Sequence, residues 1–121
     1  MMIIDLLACI PLLINAPDYG GWIVGDGYVA RTQASMGCPV VINSYCGSAC
    51  TLYLNNPRAC VTRRAVLAFH SLAPDAQTWL WHRSKYRPGL RRRIDAIGGF
   101  TIQIKTVGYP QTTWFARECR R

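Results

Sequence analysis

An α/β fold, with βαβ crossover units around a mostly parallel sheet, is what the residue pattern of this chain predicts. Three observations carry that expectation. Short apolar runs of branched residues, Pro39-Val40-Val41-Ile42 and Ala65-Val66-Leu67-Ala68-Phe69, are bounded by turn residues and read as buried strands. Segments with helical spacing or helix stop signals lie between such runs. The resulting order is strand, Gly-Gly turn, helix, strand, serine turn, helix, strand. That order makes two consecutive crossover units, whose right-handed connections give parallel strands.

The 121 residues predict one domain spanning 1–121, enough chain to bury roughly two thirds of its unfolded surface. Half of the residues are hydrophobic and only 17% are charged, which excludes a disordered chain.

Taken in order, Met1 to Ile14 (MMIIDLLACIPLLI) is apolar but too short to span a bilayer. A signal peptide cut near Asn15-Ala16 is one reading of residues 1–16. Against it, no Lys or Arg precedes Arg31, Asp5 sits in the n-region, and Pro17 would follow the cut. The preferred reading is a core strand over Leu12 to Asn15, preceded by a strand or a signal remnant. Ile14 to Gly21 then runs into a glycine turn. Ile23, Val24, Tyr28, Val29 and Met36 stand near helical spacing, and we expect a helix from about Asp26 to Ser35, ended by Gly37. After the Pro39–Ile42 strand comes a turn of small residues, Gly47-Ser48-Ala49. A short helix over Cys50 to Leu54 follows and is stopped by Asn55-Asn56-Pro57.

The second buried strand, Ala65 to Phe69, ends on His70. Gln77 to Lys85 reads as helical, and its Trp79, Trp81 and His82 are candidates for a substrate or subunit contact, with core packing as the alternative. Arg87 to Ile97 is expected as a helix entered at Pro88 and closed by Gly98-Gly99. Thr101 to Val107 alternates like a last strand, and Thr112 to Cys119 reads as a terminal helical turn.

The chemistry concentrates between Asn43 and Ser71. A serine on a strand-turn-helix elbow has its hydroxyl at a helix N-terminus, beside amides that lack intrahelical partners and suit an oxyanion. With a histidine at the end of the next strand, Ser48 and His70 form the pairing that nucleophilic acyl chemistry requires. The plain alternative is a helix cap and a rim histidine.

The residues around this pair are Cys46-Gly47-Ser48-Ala49-Cys50-Thr51-Leu52, Cys60-Val61-Thr62 and Arg64-Ala65-Val66-Leu67-Ala68-Phe69-His70. They resemble a family of small, mostly bacterial, exported proteins related to the proteolytic subunit of Clp protease. The family pattern is C-x-S-A-C-T-L followed by C-V-T-x-R-A-x-L-G-F-H, and Ala68 departs from it where the family has Gly. The resemblance covers roughly residues 10 to 100. Tyr86-Arg87-Pro88, Ile94 and Gly98-Gly99-Phe100-Thr101 extend it loosely. It implies a ClpP/crotonase-like fold of repeated β-β-α and βαβ units, here in minimal or truncated form, and a serine peptidase with Ser48 as nucleophile and His70 as general base. It also implies an oxyanion hole at the Gly20-Gly21 pair and the N–H of Ala49. Glycines there let backbone approach the reacting carbonyl.

No acid is assigned to orient His70. Asp75, Asp95 and Glu118 are the carboxylates that follow it in the chain, and a Ser-His dyad or an inactive relic is the alternative. The chemistry needs no cofactor. No Cys or His spacing makes a zinc site. The six cysteines, even in number, suit an oxidising compartment, hence the periplasm or secretion, with the cytoplasm as the alternative. Cys46 and Cys50 flank Ser48, compatible with disulfides that clamp the elbow; free buried thiols are the alternative, and Cys9, in an apolar run, reads as one.

The net charge is +8, and six of the fourteen basic residues lie between Arg83 and Arg93. Sparse aromatic interleaving argues against nucleic acid there, and a solvated helix face is expected. Arg91, Arg92 and Arg93 are the candidate contact with an anionic surface. The expected partners are a peptide or protein substrate and further copies of the chain in a homo-oligomer. The competing readings are a ClpP-fold binding scaffold without turnover and a basic nucleic-acid or membrane-surface binder.

Overall fold

The computed structural model describes residues 10–20, 27–70 and 76–120, with only the backbone at 76, 78 and 79. The fold is mixed α/β, with seven described strands in two sheets. Strands β1 (Leu12–Ile14), β2 (Val40–Ile42), β4 (Ala59–Val61) and β7 (Arg117–Glu118) pair side by side, all parallel, as sheet A. Strands β3 (Tyr45–Gly47), β5 (Val66–Phe69) and β6 (Lys105–Val107) form sheet B, parallel from β3 to β5 and antiparallel from β5 to β6. Helices α1 (Tyr28–Ala34), α2 (Ala76–Ser84) and α3 (Pro88–Ala96) and two 3-10 helices, Ser48–Asn55 and Gln111–Trp114, connect them.

The chain passes from one sheet to the other three times in succession. β1 leads into Asp18, which bridges to Cys46 in parallel; β2 leads into β3; β4 leads into β5. Each passage leans on the next. Asn43 N–H donates to the Ile14 carbonyl, Thr62 N–H to that of Ile42, and Val66 N–H to that of Ser44. Side chains reinforce the kinks: Asn43 Nδ2 donates to Asn15 Oδ1, and Thr62 Oγ1 donates to Asn43 Oδ1 at 2.7 Å. Short polar residues suit these corners because they satisfy backbone and one another where the ladder bends.

Branched residues fill the interior. Val40, Ile42, Val61, Leu67, Leu90 and Ile94 are fully buried, each side chain worth about 1.5–3 kcal/mol relative to exposure. Phe69 and Phe115 meet beneath them with ring centroids 4.9 Å apart. The apolar stripe of α3 is Leu90 and Ile94, four residues apart on one face.

The strands over 12–15 and 39–42, the helices near 77–85 and 87–97, and the strand at 65–69 stand within about two residues of expectation. The described part of α1 begins after Gly27, and Asp26 lies outside the described residues. Three elements differ. The strand that feeds the serine is β3, not the 39–42 run, because Asn43-Ser44 carries the chain into sheet B first. The strand expected over Thr101–Val107 is only Lys105–Val107. Its partner β5 ends at Phe69, opposite Lys105, so Ile102 and Ile104 have no strand to pair with and stay exposed. The expected terminal turn at 112–119 is a 3-10 helix over Gln111–Trp114 followed by β7. Cys119 N–H donates to the Val61 carbonyl and Cys119 is disulfide-bonded to Cys60, which draws the tail onto sheet A as its last strand.

Candidate functional site

Ser48 follows β3 with φ of +54°, the one described non-glycine residue with positive φ. Gly47 before it is extended, so the backbone reverses sharply from strand to the Ser48–Asn55 helix. Such a turn costs a residue bearing a Cβ about 1–2 kcal/mol. The surroundings hold it there. Cys46 and Cys50, both fully buried, are joined by a disulfide that spans the elbow. Thr51 Oγ1 donates to the Ser48 carbonyl at 2.6 Å and meets the buried Tyr86 hydroxyl at 2.7 Å. Burial pushes the Tyr86 phenol up to about 12, so it stays a neutral hydrogen-bonding group.

Gly20 packs directly on the elbow. A Cβ there would lie 2.5 Å from the Gly47 carbonyl oxygen and 2.7 Å from the Ala49 nitrogen, and its φ of +79° also favours glycine. Its own N–H donates to Asp18 Oδ1 at 2.9 Å. That engagement leaves Gly20 as the residue of close approach and Ala49 as the amide just after the serine; Gly21 lies outside the described residues. Asp18 fixes this strap at both ends. Its N–H donates to the Tyr45 carbonyl, its carbonyl accepts from Gly47 N–H, and its carboxylate accepts from the Tyr28 hydroxyl. Burial, then the bonded carboxylate, pushes Tyr28 up to about 12. The guanidinium of Arg31 lies 4.1 Å over the Tyr28 ring.

His70 follows β5. The register pairs Gly47 with Ala68, so the serine turn and His70 leave sheet B at the same end, on neighbouring parallel strands, which run about 4.8 Å apart. His70 is half-buried, and its Nδ1 is buried without a hydrogen-bond partner. Burial holds its imidazole below the ordinary value of 6.5. His82, on α2, is lowered by burial and further by the charge of His70, and its ring stands edge-on to Tyr86 and Phe100.

The candidate acids fall as follows. Asp95 pairs with Arg83. Glu118 accepts from Tyr109 and faces Arg63 on the β7 side of sheet A. Asp75 lies outside the described residues. Of the basic run, Arg91 is half-buried and donates to the carbonyls of Arg83 and Tyr86, a structural role. Arg92 and Arg93 are exposed, and Arg93 donates to the Trp114 carbonyl. The Trp79 side chain and Cys9 lie outside the described residues. No group of three or more metal-ligating side chains occurs among the described residues.

Asp18, Tyr28, Thr51 and Tyr86 brace the site and were not singled out by sequence reasoning. Asp18 alone had a local signal: an Asp two residues before a Gly is a common turn-closing pair. The disulfides Cys46–Cys50 and Cys60–Cys119, the disulfide-bonded state of Cys38 and the absence of any free cysteine among the described residues point to an oxidising compartment. No described helix is long and apolar enough to cross a membrane. No model of a known protein family matches the sequence, and no curated protein matches it significantly.

Proposed function

We propose that this chain is a ClpP/crotonase-like serine hydrolase that cleaves peptides, working in the periplasm or outside the cell. The observation that carries the reading is the positive φ of Ser48 on a strand-to-helix elbow, at the end of sheet B where His70 also emerges. Positive φ on a residue with a side chain is rare and collects at functional turns. In this mechanism Ser48 Oγ attacks the acyl carbon while His70 Nε2 takes its proton. The tetrahedral oxyanion rests on the Ala49 N–H, with the Gly21 N–H as the second donor and Gly20 giving the close approach. His70 returns the proton to the leaving amine, and water then hydrolyses the acyl-enzyme by the same route reversed.

A binding scaffold of the same fold is the second reading. It is favoured by the His70 Nδ1 atom, which no carboxylate meets among the described residues. A fluorophosphonate probe separates the two. The hydrolase reading expects a single adduct on Ser48, lost in Ser48→Ala and reduced about 100-fold or more in rate by His70→Ala. If folded wild-type protein takes no label and cleaves no peptide or ester, the scaffold reading stands instead.

A further inference from the structure

Sheet B ends on β6, which pairs with β5 on one side and with no described strand on the other. An edge strand offers a row of backbone N–H and C=O groups to whatever lies beside it. A cavity of about 550 Å³ opens along this strand, lined chiefly by Ile97, Lys105, Val107, Gln111, Trp114 and Phe115. Its walls are mostly apolar. Trp114 is 44% exposed, and Ile102 and Ile104 project into solvent just before β6. Lys105 is the one charged side chain in the lining. The Arg93 guanidinium lies 6.0 Å over the Trp114 ring. The two nearest acids in sequence are both engaged elsewhere, Asp95 by Arg83 and Glu118 by Arg63 and Tyr109.

We propose that the β6 edge and its groove dock an extended acidic peptide segment, which adds a strand to sheet B. Strand addition supplies affinity through backbone hydrogen bonds and specificity through alternate side chains. On β6 those alternate residues are Lys105 and Val107, both half-buried, with Thr106 exposed on the other face. An incoming strand therefore sets apolar side chains on Trp114 and Ile97 and brings a carboxylate to Lys105 and Arg93. Charge decides the occupant. A second copy of this chain would pair β6 with β6 and bring two lysines together on molecules of net charge +8, whereas an edge lysine repels a like strand and accepts an acidic one. The docking site lies two strands from β3 and does not depend on the chemistry proposed for Ser48.

The test uses the full oxidised chain carrying Ser48→Ala, so that nothing is cleaved. Two fluorescein-labelled ten-residue peptides serve as probes, each with Thr at every second position so that one face carries alternating Val and Glu in the first and alternating Val and Lys in the second, read by fluorescence anisotropy at low salt. The Glu peptide should bind about tenfold or more tighter than the Lys peptide, and Lys105→Glu should weaken the Glu peptide by a similar factor. Amide exchange over Lys105–Val107 should slow when the Glu peptide is bound. The proposal is overturned if both peptides bind alike, if exchange slows away from β6, or if sedimentation shows the chain dimerising through this edge. The peptide-charge comparison and the exchange map use the unaltered groove, so they decide the matter even where Lys105→Glu does not fold. Failure here leaves fluorophosphonate labelling of wild-type Ser48 untouched, and the converse also holds.

Discussion

The backbone at Ser48 and the ring of His70 each carry a cost that can be measured. With φ at +54°, Ser48 sits where glycine is comfortable and other residues are not. Ser48→Ala removes the hydroxyl and keeps the conformational cost, whereas Ser48→Gly removes both. Denaturant titration should therefore find the glycine variant about 1 kcal/mol more stable than the alanine variant, with neither labelled by the probe. Equal stabilities would mean that the turn relaxes when the hydroxyl is lost. For His70, burial lowers the folded-state pKa below 6.5, and the same holds for His82. Below the unfolded value the unfolded chain binds more protons than the native one, so stability falls as pH drops through that value and levels off below the folded one. In the proposed mechanism the neutral His70 also persists below pH 6.5, so the acid limb of kcat/KM belongs on the acid side of that pH. A limb above it would contradict the buried setting of His70.

Among the elements, the short strands owe much to their covalent ties. β7 has only two residues, both exposed, yet it completes sheet A because Cys119 is bonded to Cys60 across 59 positions. Loop-closure entropy assigns such a link about 4 kcal/mol and the four-residue Cys46–Cys50 link about 2. Replacing Cys60 and Cys119 by Ser should accordingly lower the unfolding free energy by several kcal/mol and detach β7, seen as fast amide exchange at position 119. This is also where sequence reasoning reached its limit. The apolar runs at 39–42 and 65–69 were readable because burial demands consecutive branched residues, and the serine turn because small residues and a helix stop signal it. β4 and β7 were not, since three- and two-residue strands carry no period and exist through partners distant in sequence. The 101–107 strand was overextended because its length is fixed by where β5 ends, a fact that no local pattern contains. At the site, Ser48 and His70 were read from local residue types and Gly20 from the family resemblance, but the Asp18–Tyr28 and Thr51–Tyr86 braces join segments ten and thirty-five residues apart.

As a whole the molecule is wound rather than layered from independent pieces. Three successive passages, each a strand in sheet A and a segment in sheet B, stack on one another. The serine belongs to the second and the histidine to the third. Between those two passages the chain comes to the surface at Pro57 and Arg58, both exposed. Both described disulfides avoid that point, one closing entirely before it and the other entirely after it. The chain can therefore be divided there into two separately produced halves, 1–57 and 58–121, each retaining its own cross-link. The ladders β2–β4 and β3–β5 are what the halves would offer each other. Mixed at micromolar concentration they should reassociate, and because one half holds the proposed nucleophile and the other the proposed base, labelling of Ser48 should appear on mixing and be weak in the first half alone. The fold would then act as a two-part reporter whose signal is assembly itself.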